Sequence, residues 1–306
     1  MLTTVAGFVV TACSGLSTDY SAESQKLDTE ISAMPGVQRC EVTVKDDFFL
    51  GDSYLRFAVH LSTATDEQIG DVATRMRERL RTLDGLRERE LEFVVADRAT
   101  VRAARELDVD ALRETVRNVR RYTESVPDAR IFWEMRPIPR IAITDVKTGA
   151  AEPLGAVRDM LGPTGQAEVR VDAADSKHWS VTLPLAADRE AELQRQLSEI
   201  TWDVQFVEIA DGHIHTLTLR EKTPSTVDPA LSYDALSAAV RLVAPTPDHS
   251  LRLTWNWFFY YTEGKRNEGF VHAAACDYAL STVSEDALTA RAVGVQRRMR
   301  EEFDTC

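Results

Sequence analysis

The chain has 306 residues, of which 44% are hydrophobic and 28% charged, a composition able to build substantial apolar cores. Its formal net charge of −13 argues against a general nucleic-acid binder, because phosphate contacts need a basic surface. The length suggests about two domains, with one or three also compatible, and no stretch reaches the roughly 18 apolar residues of a membrane-spanning helix. The four cysteines, Cys13, Cys40, Cys276 and Cys306, lack the CxxC spacing of a zinc ribbon or a thioredoxin-type site.

An apolar run, Val5-Ala6-Gly7-Phe8-Val9, leads into Val10-Thr11-Ala12-Cys13 and then into the Ser/Gly/Thr-rich residues 14–18. An apolar centre followed by small residues is the end of an export signal. Val10-Thr11-Ala12-Cys13 resembles the lipobox of bacterial lipoproteins. The resemblance covers the leader alone. It implies that the Cys13 thiol is diacylated, that residues 1–20 are signal and linker, and that the mature protein is exported and lipid-anchored to the cell membrane, facing outward. No Lys or Arg precedes Cys13, a departure from the usual basic start.

Beyond the leader, residues 21–34 predict a helix with Leu27 and Ile31 on one face, stopped by Pro35-Gly36. Cys40, Val42 and Val44 alternate with polar residues, as do Leu55, Phe57, Val59 and Leu61, which predicts a hairpin. Thr65-Asp66-Glu67-Gln68 fits a capping box opening a helix striped by Ile69, Val72, Ala73, Met76 and Leu80. Arg75, Arg77, Arg79 and Arg81 in that helix read as a solvated face. Leu91, Phe93 and Val95 predict the next strand.

The pattern then recurs. Val109, Leu112, Val116 and Val119 stripe a helix, and Ile131 and Trp133 alternate in a strand. Pro137 and Pro139 mark a turn, and Ile141 and Ile143 begin the return strand. Pro153 opens a helix ended by Gly162-Pro163, followed by strands over 167–171 and 179–183. A helix through Leu193, Leu197 and Ile200 precedes a hairpin with Asp211-Gly212 at its turn. Residues 232–243 predict a helix, 251–261 an aromatic strand, 270–278 its partner, and 284 onward a last helix with Leu288, Ala292, Val295 and Met299 inward.

Helix–strand–strand thus repeats about every 40 residues, the mark of repeated units. The unit resembles half of a ferredoxin-like βαββαβ module. The expectation is an α+β chain of tandem ferredoxin-like modules, with antiparallel sheets and helices on one face. The modules would span 21–97, 98–173 and 174–306, the last strand and helix packing on the first.

No G-x-S-x-G elbow, G-x-x-x-x-G-K-[ST] loop or H-E-x-x-H helix occurs in the chain, so no catalytic or cofactor motif is legible and no cofactor is expected. His213-Ile214-His215 sets two imidazoles on one strand face, a weak metal candidate without a third ligand nearby in sequence. Cys40 and Cys276 are candidates for a disulfide in an oxidising compartment; two buried free thiols are the rival reading. Odd positions from Leu251 to Tyr261 make one apolar face. Phe258 and Tyr260 then fall on the nominally polar side, where they are either covered core or a partner surface. The expected function is that of a lipid-anchored envelope protein, not an enzyme, that binds or scaffolds another envelope protein. A carrier of a small apolar ligand or lipid, or an enzyme of unknown class, are the alternatives.

Overall fold

A computed structural model of the protein describes residues 17–47, 52–82, 88–103, 106–173, 177–222, 229–262, 264–275 and 284–304. Among these residues the order helix–strand–strand occurs six times and a seventh helix follows. The chain divides into two units, Met1–Val116 and Arg117–Cys306. The first holds α1 (Ser17–Ser32), β1 (Arg39–Asp47), β2 (Asp52–His60), α2 (Asp66–Thr82), β3 (Glu88–Ala96) and β4 (Ala99–Ala103), and the division falls inside α3 (Val109–Ser125). The second holds β5 (Arg130–Glu134), β6 (Arg140–Val146), α4 (Ala151–Leu161), β7 (Ala167–Ala173), β8 (His178–Leu183), α5 (Ala187–Glu199), β9 (Asp203–Ala210), β10 (His213–Arg220), α6 (Pro229–Val243), β11 (Leu251–Thr262), β12 (Lys265–Ala273) and α7 (Ala290–Phe303).

Within each unit the strands follow chain order in mixed pairing, β1 through β4 in the first and β5 through β12 in the second. This overturns the expectation of separate ferredoxin-like modules. In such a module the second half returns to interleave its strands with the first; here, within each unit, each hairpin is laid beside the one before it. Hairpin partners are antiparallel, whereas β2–β3, β6–β7, β8–β9 and β10–β11, joined across helices, are parallel. The helix–strand–strand period is the same in either arrangement, so the pattern reveals the unit but not where its hairpin docks. A single layer of helices on one face is not found either: α7 lies along the outer edge of β12. There the Thr289 N–H donates to the Arg266 carbonyl (3.1 Å), the Ala274 N–H to the Phe303 carbonyl (2.9 Å), and the Phe270 N–H to Gln296 Oε1 (2.9 Å). Backbone groups that would invite a further strand are satisfied there by the chain itself.

In the first unit the capping box forms as its residues dictate: the Thr65 N–H donates to Gln68 Oε1 (2.9 Å) and the Gln68 N–H to Thr65 Oγ1 (3.3 Å). Arg75 and Arg79 of α2 both clasp Glu30 of α1, so half of the arginine cluster is a helix–helix contact and not simply a solvated face. Phe57 faces Leu91 and Leu91 faces Ala103; Val59 faces Phe93 and Phe93 faces Val101. All six are buried, each large one contributing about 1.5–3 kcal/mol. β4 escapes sequence reading because Ala99-Thr100-Val101-Arg102-Ala103 offers one strong β-former between small residues. On the other side of these strands Glu92 is almost completely buried, bound by Arg56 of β2 (2.6 Å) and Arg102 of β4 (2.7 Å).

In the second unit buried residues alternate along most of the strands, with breaks in β6, β9 and β10, and register carries the buried set from strand to strand. Ile143 faces Val171, Val171 faces Trp179, Trp179 faces Val207, Val207 faces Leu217, Leu217 faces Leu253 and Leu253 faces Val271. Leu251, Leu253, Trp255 and Trp257 are all buried. Trp257 Nε1–H donates to Ser232 Oγ of α6 (3.1 Å), which also accepts from Arg291 of α7 (2.7 Å). Ser284 caps a single 3-10 turn, and Thr289 caps α7, its Oγ1 accepting from the Ala292 N–H (3.3 Å).

Candidate functional site

The alternate residues of the second unit form the opposite side of the sheet, and they are mostly polar and half-buried or exposed. Register lines them up across the strands. One row runs His178, Phe206, Thr218, Thr254, Phe270 from β8 to β12. The next runs Arg170, Ser180, Glu208, Thr216, Arg252, His272 from β7 to β12. Side-chain bonds tie the rows down: Thr218 Oγ1 to Thr254 Oγ1 (2.9 Å), and Thr216 Oγ1 donating to Glu208 Oε2 (2.6 Å). The Arg252 guanidinium lies 5.5 Å from the Phe270 ring centre, a cation–π contact. At one end Asp172 accepts from His178 Nδ1 (2.7 Å) and Arg170 Nε (3.1 Å). Burial alone would raise the Asp172 carboxyl, but His178 and Arg170 outweigh it and hold the carboxyl below its ordinary range.

Beyond these rows the structure gathers three imidazoles. Asp211 and Gly212, at φ 51° and 73°, form the tight turn that Asp-Gly favours and start β10 at His213. Pairing skips from Ile214–Ile209 to Thr216–Glu208, so His215 is the extra residue of a β-bulge, a device that re-aims a side chain. His249 comes from the loop after α6. Ala244, at φ 52°, ends that helix, and Thr246 and His249 exchange backbone bonds of 3.2 and 2.9 Å. The His249 ring stacks on His213 with centroids 3.6 Å apart and planes 10° from parallel, and His215 meets His249 edge-on at 6.1 Å. Next to it, Ser250 Oγ lies 3.1 Å from His272 Nε2.

This geometry disfavours charge on both stacked rings at once. Two imidazolium charges at the stacking distance would repel by about 1 kcal/mol under water-like screening and about 5 kcal/mol at an effective dielectric of about 20. Burial, and then the neighbouring His249, Arg189 and His215, hold the His213 ring below its ordinary value, with Asp211 opposing. A parallel stack turns ring faces, not nitrogen lone pairs, toward each other. Among the described residues no group of three or more His, Cys, Asp or Glu is placed to hold a metal ion.

His213 and His215 are therefore brought together with a partner that sequence reading missed. The parallel pairing of β10 with β11 sets the residues just before β11 beside the start of β10, and nothing in the sequence dictates that pairing. Cys40 is a buried free thiol, pushed up to about 12 by burial and by Asp28. Cys13 and Cys276 lie outside the described residues, as do the side chains of Phe258 and Tyr260, although the backbone of both belongs to β11.

The fold and this surface define an α+β protein built of helix–strand–strand repeats, with one buried and one polar sheet face in its second unit. No family model, no curated protein and no solved structure matches the chain.

Proposed function

We propose that this is a lipid-anchored envelope protein that binds another envelope protein through the polar sheet side of its second unit, and that it carries out no chemistry of its own. The observation that carries the reading is the pair of rows spanning β7 to β12. They form a broad polar surface in which Phe206 and Phe270 flank a hydrogen-bonded Thr218–Thr254 pair. Aromatic rings and arginine set among polar groups are the usual makings of a recognition surface. The lipid anchor rests on Val10-Thr11-Ala12-Cys13 ahead of a polar spacer. A carrier would want an enclosed apolar pocket. Among the described residues, one cleft of about 430 Å³ between α3 and α4 has Arg121, Glu152 and Asp159 among its lining residues.

The test is reversible crosslinking in native membranes, comparing wild type with Arg252→Glu and Phe270→Ser. Both variants should lose the crosslinked partner while keeping their thermal midpoint within a few degrees. Retention of the partner by both variants would overturn the assignment of the surface. An unmodified Cys13 in peptides from native membranes would overturn the anchor.

A further inference from the structure

We infer that the face-to-face stack of His213 and His249 is an acid-released clasp, which fixes the 244–250 loop to the β9–β10 hairpin near neutral pH and lets it go in acid. The geometry carries this. The two rings come from different segments, lie 3.6 Å apart and nearly parallel, and tie a loop to a hairpin turn. Within the loop, backbone bonds join Thr246 to His249, so the loop moves with the His249 ring.

Groups of both signs surround the stack. From β10 comes the edge-on ring of His215. From α5 comes Arg189, whose Nε donates to the Gly212 carbonyl at 2.7 Å and whose Nη1 meets Glu192 at 2.8 Å. The turn contributes Asp211, which is exposed, and the loop contributes Asp248, also exposed. β9 contributes Glu208, already accepting from Thr216, and β12 contributes His272, already against Ser250. One proton on the stack leaves a cation resting on a neutral ring, which is still attractive. A second sets two cations face to face with Arg189 and His215 beside them. Release therefore waits for the second proton, whose uptake the first opposes. The burial and neighbouring charge that lower His213 place release below the ordinary histidine range.

The inference does not depend on any partner, so it can fail or hold independently of the proposed function. Hydrogen exchange of the full chain, compared between about pH 7.5 and about pH 5 and corrected for intrinsic rates, reads the opening of the loop. Residues 244–250 should lose protection by roughly tenfold more than β5–β8 on acidification. His213→Phe, whose ring stacks but cannot titrate, should keep the loop protected at both values. An acid-insensitive loop in the wild type, or one released equally in His213→Phe, overturns the clasp. Should that variant fold poorly, NMR titration of the wild-type imidazoles replaces it. A His213 midpoint below about 6.5 supports the clasp, and His213 titration at the ordinary value overturns it.

Discussion

Gly269→Ala should destabilise the second unit, against the usual sign of such a change. Inside a strand, Gly costs roughly 0.5–1 kcal/mol relative to Ala, so the exchange would ordinarily help. Here Gly269 sits directly opposite Trp255, and its missing side chain is the room the indole occupies. A Cβ added at Gly269 would lie 2.1 Å from Trp255 Cζ2 and 2.3 Å from Cε2, against about 3.5–4.0 Å for carbon atoms in contact. The indole would have to retreat by more than about 1 Å, but it is only 1% exposed and stands in a close-packed interior. Overpacking of this kind costs about 1–3 kcal/mol, enough to override the backbone gain. A net loss of about 2 kcal/mol would lower the thermal midpoint by roughly 4–8 °C for a unit of this size. The decisive measurement is a double-mutant cycle with Trp255→Phe, followed by far-UV circular dichroism during thermal and urea unfolding. Phe lacks the ring atoms that clash, so the two losses should fall short of adding by about 1 kcal/mol or more. A Gly269→Ala protein as stable as wild type, or losses that add within about 0.5 kcal/mol, would refute the reasoning.

Glu92→Gln should cost about 1 kcal/mol, the low end for a charge-assisted pair, because Arg56 and Arg102 both reach water. Burial raises the Glu92 carboxyl, but Arg102 and Arg56 outweigh it and hold it below its ordinary value of 4.5. Its contribution is thus complete above that value and is lost as pH falls through the lower native value, a loss that urea titrations across the acid range would show missing in Glu92→Gln. Ser232→Ala strips the acceptor from the buried Trp257 indole N–H and should cost about 1–3 kcal/mol on unfolding. Equal stability of the two proteins would show that this bond contributes nothing. Cys40, buried and with its thiol pushed up to about 12, should resist alkylation at about pH 8 until the chain unfolds. Peptide mass spectrometry showing fast native labelling at Cys40 would contradict that environment.

Local order was legible because its causes are local. The Thr65–Gln68 capping box, the Asp211-Gly212 turn and the apolar positions of β11 depend on residues a few places apart, and each forms as its chemistry requires. β4 was lost because two of its inward residues are alanines, which signal neither strand nor core. The candidate site was legible only as fragments. His213 and His215 stood out as a pair, but His249 lies 34 positions beyond His215 in the numbering and joins them only because β11 runs parallel to β10.

Apolar periodicity and backbone caps act within a single element, so the residues alone spelled out the helix–strand–strand unit, its repetition, and the inward positions of most strands. The order in which the hairpins lie is set by packing between distant segments. A helix crossover is compatible with interleaved strands or with strands in chain order, and the choice rests on contacts between residues far apart in the chain. That order sets the Phe206–Thr218–Thr254–Phe270 row across four strands and brings His249 onto His213.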